Sequence, residues 1–143
     1  MQKGNNMDSE HSNYKKFLEK EKYTKIIAVD FDATIHEHLS TFSDWVTIAD
    51  PPVAFAKNAM QQLKDDGWYI IVHTARIIDF STAEAVKTWL ARHEIPYDEI
   101  WLDFSKPYAD IYLDDKGLQF NGDWLQTLED IKNFKNWREG LRK

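Results

Sequence analysis

Apolar residues fall into short unbroken runs separated by stretches of helical spacing, and this alternation predicts the fold. Ile26-Ile27-Ala28-Val29 and Trp68-Tyr69-Ile70-Ile71-Val72 are apolar at every position rather than at alternate ones, the character of parallel strands buried on both faces. Glu99-Ile100-Trp101-Leu102 and Asp110-Ile111-Tyr112-Leu113 read as two further short strands. Val53, Ala56, Met60 and Leu63 recur at helical spacing. Asp50-Pro51-Pro52 before them predicts an N-cap with proline in the first turn, and Asp66-Gly67 predicts the stop. A second helix over roughly 80–93 sets Val86, Trp89, Leu90 and His93 on one face, with Pro96 beyond its end. A last helix, about 123–137, begins near Asp123 and turns Trp124, Leu128 and Ile131 inward.

Strands that alternate with helices predict an α/β domain: a mainly parallel sheet with helices on both faces, in three layers. Right-handed crossovers then bring every strand's C-terminal end to the same edge, where ligands of such sheets bind. The 143 residues suit one domain. Its expected extent is 25–138, after a polar leader over 1–13 and a short charged helix over 14–22, so that 1–24 stand outside the domain. The stretch 36–50 reads as a short insertion, too small for a separate cap domain but long enough for a flap.

Composition narrows the chemistry. Zero cysteines exclude disulfides, thiolate metal sites and cysteine nucleophiles. No run reaches the roughly 18 apolar residues of a membrane span, and no signal-peptide core precedes the first strand, so the expected setting is the cytoplasm, with no membrane partner. The net charge of −6 conceals an acidic middle: residues 26–131 hold seven Lys/Arg against nineteen Asp/Glu. That balance disfavours a broad nucleic-acid face and suits a cation site.

Four segments at the expected strand ends carry the candidate chemistry: Asp30-Phe31-Asp32-Ala33-Thr34, His73-Thr74-Ala75-Arg76, Lys106-Pro107 and Asp114-Asp115. Singly each is unspecific, since Asp is common in turns and Thr after a strand is more often a helix cap. Gathered on one sheet edge, Asp30, Asp32, Asp114 and Asp115 cannot all stay ionised without a cation. Magnesium, which takes hard oxygen ligands and keeps places for water and phosphate, is the expected guest. Thr74 and Lys106 would add a hydroxyl and a positive charge beside a phosphoryl group.

The run from Ile26 to Ile35, with Asp30-Phe31-Asp32-Ala33-Thr34 after a strand, resembles the first motif of haloacid dehalogenase-like phosphatases. Thr74, Lys106 and Tyr112-Leu113-Asp114-Asp115 match the second, third and fourth motifs in order, and the likeness extends over 25 to about 137. The Lys106 to Asp115 stretch is similar to small capless members from bacteria and their phages. Such a resemblance implies a Rossmann-like α/β/α fold and an Mg2+-dependent phosphomonoesterase acting on a nucleotide, sugar phosphate or similar small ester. It implies Asp30 as the nucleophile that becomes an aspartyl-phosphate, and Asp32 as general acid and base whose main-chain carbonyl helps hold the metal. Asp115 would be a direct metal ligand, with Asp114 bound directly or through water. Thr74, Ala75, Lys106 and Arg76 would contact the substrate phosphate. Ala33 departs from the glycine of many relatives, which makes a left-handed backbone harder to adopt there.

Other features are less specific. His36 and His38 could touch substrate or a second metal, but as loop histidines they are expected to be exposed; Arg76 could instead pair with a nearby acid; His73 reads as a packed strand residue. Trp45 stands out as a tryptophan within the insertion. Two further readings compete: a non-catalytic Mg2+- or phosphate-binding module, and a nucleic-acid 3′-phosphatase.

Overall fold

The computed structural model describes residues 25–141. The expected leader and the 14–22 helix lie outside the described residues. Seven elements follow in order: β1 Ile26–Val29, α1 Ala56–Asp65, β2 Tyr69–Val72, α2 Phe80–Arg92, β3 Glu99–Ile100, β4 Ile111–Leu113 and α3 Trp124–Asn133. The four strands form one all-parallel sheet in the order β3-β2-β1-β4, giving a Rossmann-like α/β domain. β1 pairs with β2 from Ile26 opposite Tyr69 to Val29 opposite Val72, and with β4 from Ile27 opposite Ile111 to Val29 opposite Leu113.

This order has a functional consequence. From β1 the chain steps outward through β2 to β3, then returns to β1's other side as β4. The direction of winding therefore reverses between β1 and β4, and the crevice beyond the C-terminal ends of those two strands is where such sheets bind ligands.

Burial explains the unbroken apolar runs. Ile27, Val29, Ile70 and Val72 point to one face, where they pack with Met60 of α1 and with Val86, Trp89 and Leu90 of α2. The intervening Ile26, Ala28 and Ile71 are buried as well, so the two central strands are covered on both faces. α2 is held at its start by a capping box: the Asp79 carboxylate accepts from the Thr82 N–H while the Thr82 hydroxyl accepts from the Asp79 N–H.

Three expectations are corrected. α1 begins at Ala56 rather than next to Asp50, and its N-cap residue, Phe55, has φ of 65° and no side-chain cap. Asp50 is engaged elsewhere, accepting the N–H groups of Leu39 and Ser40 at 2.7 Å each, while Pro51 and Val53 pair with Glu37 and Ile35. β3 ends at Ile100. Trp124, Leu128 and Ile131 are exposed, and no residue of α3 is buried. The C-terminal segment is anchored beyond its helix, through Asn136, Trp137 and Arg138.

Leu90 is fully buried in the cluster that joins α2 to the sheet. Leu90→Ala should cost about 2–5 kcal/mol of unfolding free energy. Urea denaturation followed by circular dichroism measures it, and a loss below about 1 kcal/mol would contradict this packing.

Candidate active site

Asp30 directly follows β1, and Asp114 and Asp115 directly follow β4, so the winding reversal brings the three acids together. The ladder continues one step past the strands, with the Asp30 N–H donating to the Leu113 carbonyl at 2.9 Å and the His73 N–H to the Val29 carbonyl at 2.9 Å. One carboxylate oxygen from each of Asp30, Asp114 and Asp115 lies within 4.8 Å of the others. Burial, a hydrogen bond with Asp115 and the charge of Asp114 together push the Asp30 carboxyl up to about 8. Asp115 is the more enclosed of the β4 pair, its side chain 3% exposed, whereas Asp114 is exposed and accepts the Lys116 N–H.

The Asp32 side chain belongs to a second group, with His36 and His38. Arg76 grips it with two bonds, Nε to Oδ2 and Nη2 to Oδ1, both 2.9 Å, and His36 Nδ1 lies 2.9 Å from Oδ1. Burial alone would raise this carboxyl, but the His36 and Arg76 hydrogen bonds and the Arg76 charge outweigh it and bring the carboxyl down to about 2. Two aspartates one residue apart are thus driven in opposite directions: one shares its site with acids, the other is enclosed by donors.

His36 is 1% exposed, which corrects the expectation of an open loop histidine. Its ring stacks on Phe31 and meets the edge of Trp89. Nε2 accepts the Asp50 N–H at 3.1 Å, so the ring proton sits on Nδ1 and is donated to Asp32. His38 is half-buried, 3.8 Å from Asp32. Burial lowers its proton affinity, the Asp32 charge opposes this, and Arg138 adds to the lowering.

Arg76 is 2% exposed, and its remaining terminal nitrogen bonds the carbonyls of Trp45 and Thr47 at 3.1 and 3.4 Å. Arg76 thus forms the internal ion pair that stood as the alternative to an anion clamp, and it ties the insertion to Asp32. With Asp50 fastening Leu39 and Ser40, the 36–50 segment is pinned at both ends.

The phosphate candidates are distributed more loosely. Thr74 is buried, and its Oγ1 accepts the Arg76 N–H at 3.1 Å, which leaves its own O–H free to donate. Ala75 is exposed at the same strand end. Lys106 is exposed, with Nζ 4.1 Å above the Tyr112 ring. It shares a neighbourhood with Asp114: burial lowers the proton affinity of His73, which Asp114 opposes and Lys106 reinforces. Ala33 does adopt a left-handed backbone, with φ of 64°, despite its methyl group.

Sequence reasoning passed over Asn136, Trp137 and Arg138. Asn136 Nδ2 donates to Asp115 Oδ2 at 2.5 Å, Trp137 Nε1 to the Ala33 carbonyl at 2.7 Å, and Arg138 Nη1 to the His38 carbonyl at 2.5 Å. The expected helix of about 123–137 takes in Asn136 and Trp137 as helical residues, but α3 ends at Asn133, and the three side chains act from the segment beyond it. Among the described residues no helix is long and apolar enough to cross a membrane.

The opposite shifts of Asp30 and Asp32 fix the sign of a pH experiment. Folded Asp30 keeps its proton up to about 8, whereas the unfolded chain releases it near 3.8, so its contribution to stability is lost as pH rises across that window. Asp32 behaves oppositely: its contribution is whole above 3.8 and fades as pH falls towards 2. In EDTA, wild type should lose stability relative to Asp30→Asn between pH 5 and pH 8, read by urea unfolding at both values; parallel behaviour of the two proteins would refute the shift. Arg76→Met, which strands the Asp32 carboxylate, should destabilise by about 3 kcal/mol, and a loss under 1 kcal/mol in the same assay would show the pair to be dispensable.

No protein-family model matches the chain. No curated protein matches it. Among solved structures, it is similar to the crystal structure of a target protein from Vibrio cholerae, with 21% sequence identity and a TM-score of 0.47, over 78% of this chain and 100% of that one.

Proposed function

We propose that this protein is a magnesium-dependent phosphomonoesterase of the haloacid dehalogenase-like kind, working through an aspartyl-phosphate on Asp30. One juxtaposition carries the reading: the Asp30 carboxylate at the end of β1 lies within 4.8 Å of Asp114 and Asp115 at the end of β4, in the crevice where the sheet's winding reverses. The donor set fits a hard divalent cation. Three carboxylates converge, and Asp30 retains a proton to about 8 in their company, a proton that a cation would replace. Asp30, Asp114 and Asp115 would hold Mg2+ through their side chains, with the main-chain carbonyl of Asp32. Bound there, the ion would supply positive charge that offsets the repulsion between an anionic nucleophile and an anionic phosphate.

The chain's own residues then divide the work. Asp30, ionised, attacks phosphorus; the bond from phosphorus to the leaving oxygen breaks, and that oxygen takes up a proton. Water attacks the aspartyl-phosphate in turn, releasing inorganic phosphate and restoring the carboxylate. Thr74 donates its hydroxyl hydrogen to the transferred group, and Lys106 adds charge from the neighbouring segment. Asp32 is the acid and base of the scheme, but both of its oxygens accept hydrogen bonds from Arg76 and His36. Its pair with Arg76 has to open before it can deliver a proton, and an arriving phosphate dianion offers the guanidinium a competing partner. The substrates in view are small phosphate esters, with a 3′-phosphorylated nucleic-acid end less compatible with the acidic middle of the chain.

The Asp32–Arg76 pair also favours one competing reading, a non-catalytic Mg2+- or phosphate-binding module in which Asp32 is purely structural. Turnover separates the two. Phosphate release is measured from p-nitrophenyl phosphate, nucleotides, sugar phosphates and 3′-phosphorylated oligonucleotides, with Mg2+ or EDTA. Release should require Mg2+ and fall by at least ~10³-fold in Asp30→Asn. Binding of Mg2+ without turnover on any compound would transfer the assignment to the module.

A further inference from the structure

We infer that Asn136, Trp137 and Arg138 form a positioning clasp for the Asp30 centre, holding Asp115 and the loop after β1 in the arrangement that a cation requires. This rests on the proposed magnesium site. Three consecutive side chains reach three separate parts of the crevice: Asn136 binds the Asp115 carboxylate at 2.5 Å, Trp137 the Ala33 carbonyl at 2.7 Å and Arg138 the His38 carbonyl at 2.5 Å.

The choice of acceptors is informative. Ala33 and His38, with φ of 64° and 52°, are two of the three left-handed residues between β1 and α1, the third being Phe55 beside the helix, and none of them is glycine. A left-handed backbone costs a residue with a Cβ roughly 1–2 kcal/mol, so such conformations persist only where their surroundings fix them. Trp137 and Arg138 bond the carbonyl of each. This loop carries Asp32 and follows directly from Asp30, so a change in its path would move both acids.

Asn136 acts on the other half of the site. By donating to Oδ2 of Asp115 it fixes the carboxylate's rotation and leaves Oδ1 for its neighbours or a cation. Arg138 Nη2 lies 4.0 Å from the same Oδ2 and offsets part of the acids' mutual repulsion. Asn136 is itself uncharged, so it orients the ligand without competing as a further carboxylate. Ligand-orienting groups of this kind are worth about 10–100-fold in metal affinity when removed.

General packing does not account for the arrangement. α3, which leads into the clasp, has no buried residue, yet Arg138 is 3% exposed and its Nε is buried without a partner. The segment is thus fastened at the crevice, while its helix lies outside the core.

Calorimetric titration with Mg2+ of the full chain tests this, on wild type, Asn136→Ala and Trp137→Phe, with unfolding midpoints measured in EDTA. Trp137→Phe keeps an aromatic ring while removing the Nε1–H donor, so it also covers the case in which Asn136→Ala folds poorly. The expected result is a dissociation constant for Mg2+ raised about 10–100-fold in each folded variant. Wild-type affinity in a folded variant would overturn the clasp, because a merely structural role leaves metal affinity untouched once the protein is folded. Failure of wild type itself to bind Mg2+ would overturn the magnesium reading, and the clasp with it; the two failures are therefore distinguishable.

Discussion

Carboxylates held within 4.8 Å of one another in a partly buried crevice repel, and some positive species, a proton or a metal ion, has to enter among them. Asp30, Asp114 and Asp115 impose that requirement, and the topology creates it. Only because β4 returns to the far side of β1 do the two acidic strand ends become neighbours. A sheet built from the same strands in sequential order would leave them apart, each on a solvated turn. The fold thus works as a device for concentrating charge, and the apolar core around Ile70, Val72 and Leu90 supplies the rigidity that keeps the acids from relaxing away.

Beside this centre stands another with the opposite balance. Asp32 is surrounded by Arg76, His36 and His38, so its charge is satisfied by donors belonging to the protein. The backbone between Asp30 and Asp32 spans only Phe31, which is fully buried and meets Trp89 edge-on. That anchor lets adjacent aspartates face different electrostatic worlds without averaging between them. The Arg76 guanidinium connects this second acid to the insertion.

Much of this was legible in the sequence because it depends on local chemistry. Unbroken apolar runs such as Ile26 to Val29 announce buried parallel strands, and Asp after such a run announces a carboxylate at the sheet edge. α2 was recoverable almost to the residue, since Val86, Trp89 and Leu90 repeat at helical spacing ahead of Pro96. Asp50 misled because Asp-Pro-Pro is a common helix entrance, whereas here the carboxylate closes a loop through Leu39 and Ser40. The amphipathic pattern of Trp124, Leu128 and Ile131 likewise indicates a helix but not what it packs against. The fate of His36, Arg76 and Asn136 was illegible for a deeper reason: their partners lie 4 to 44 positions away, and no periodicity encodes which polar groups meet across a fold.

The way Arg76 secures the insertion bears on how this protein can change. It grips Trp45 and Thr47 by their main-chain carbonyls, and Asp50 takes the main-chain N–H groups of Leu39 and Ser40, so much of the loop's course is written in backbone contacts that many side chains would satisfy. Phe42, Trp45 and Val46 meanwhile stand about half exposed. The loop is in effect a fixed frame with interchangeable fittings: its exterior can drift under selection, or be redesigned, without disturbing the ion pair beneath.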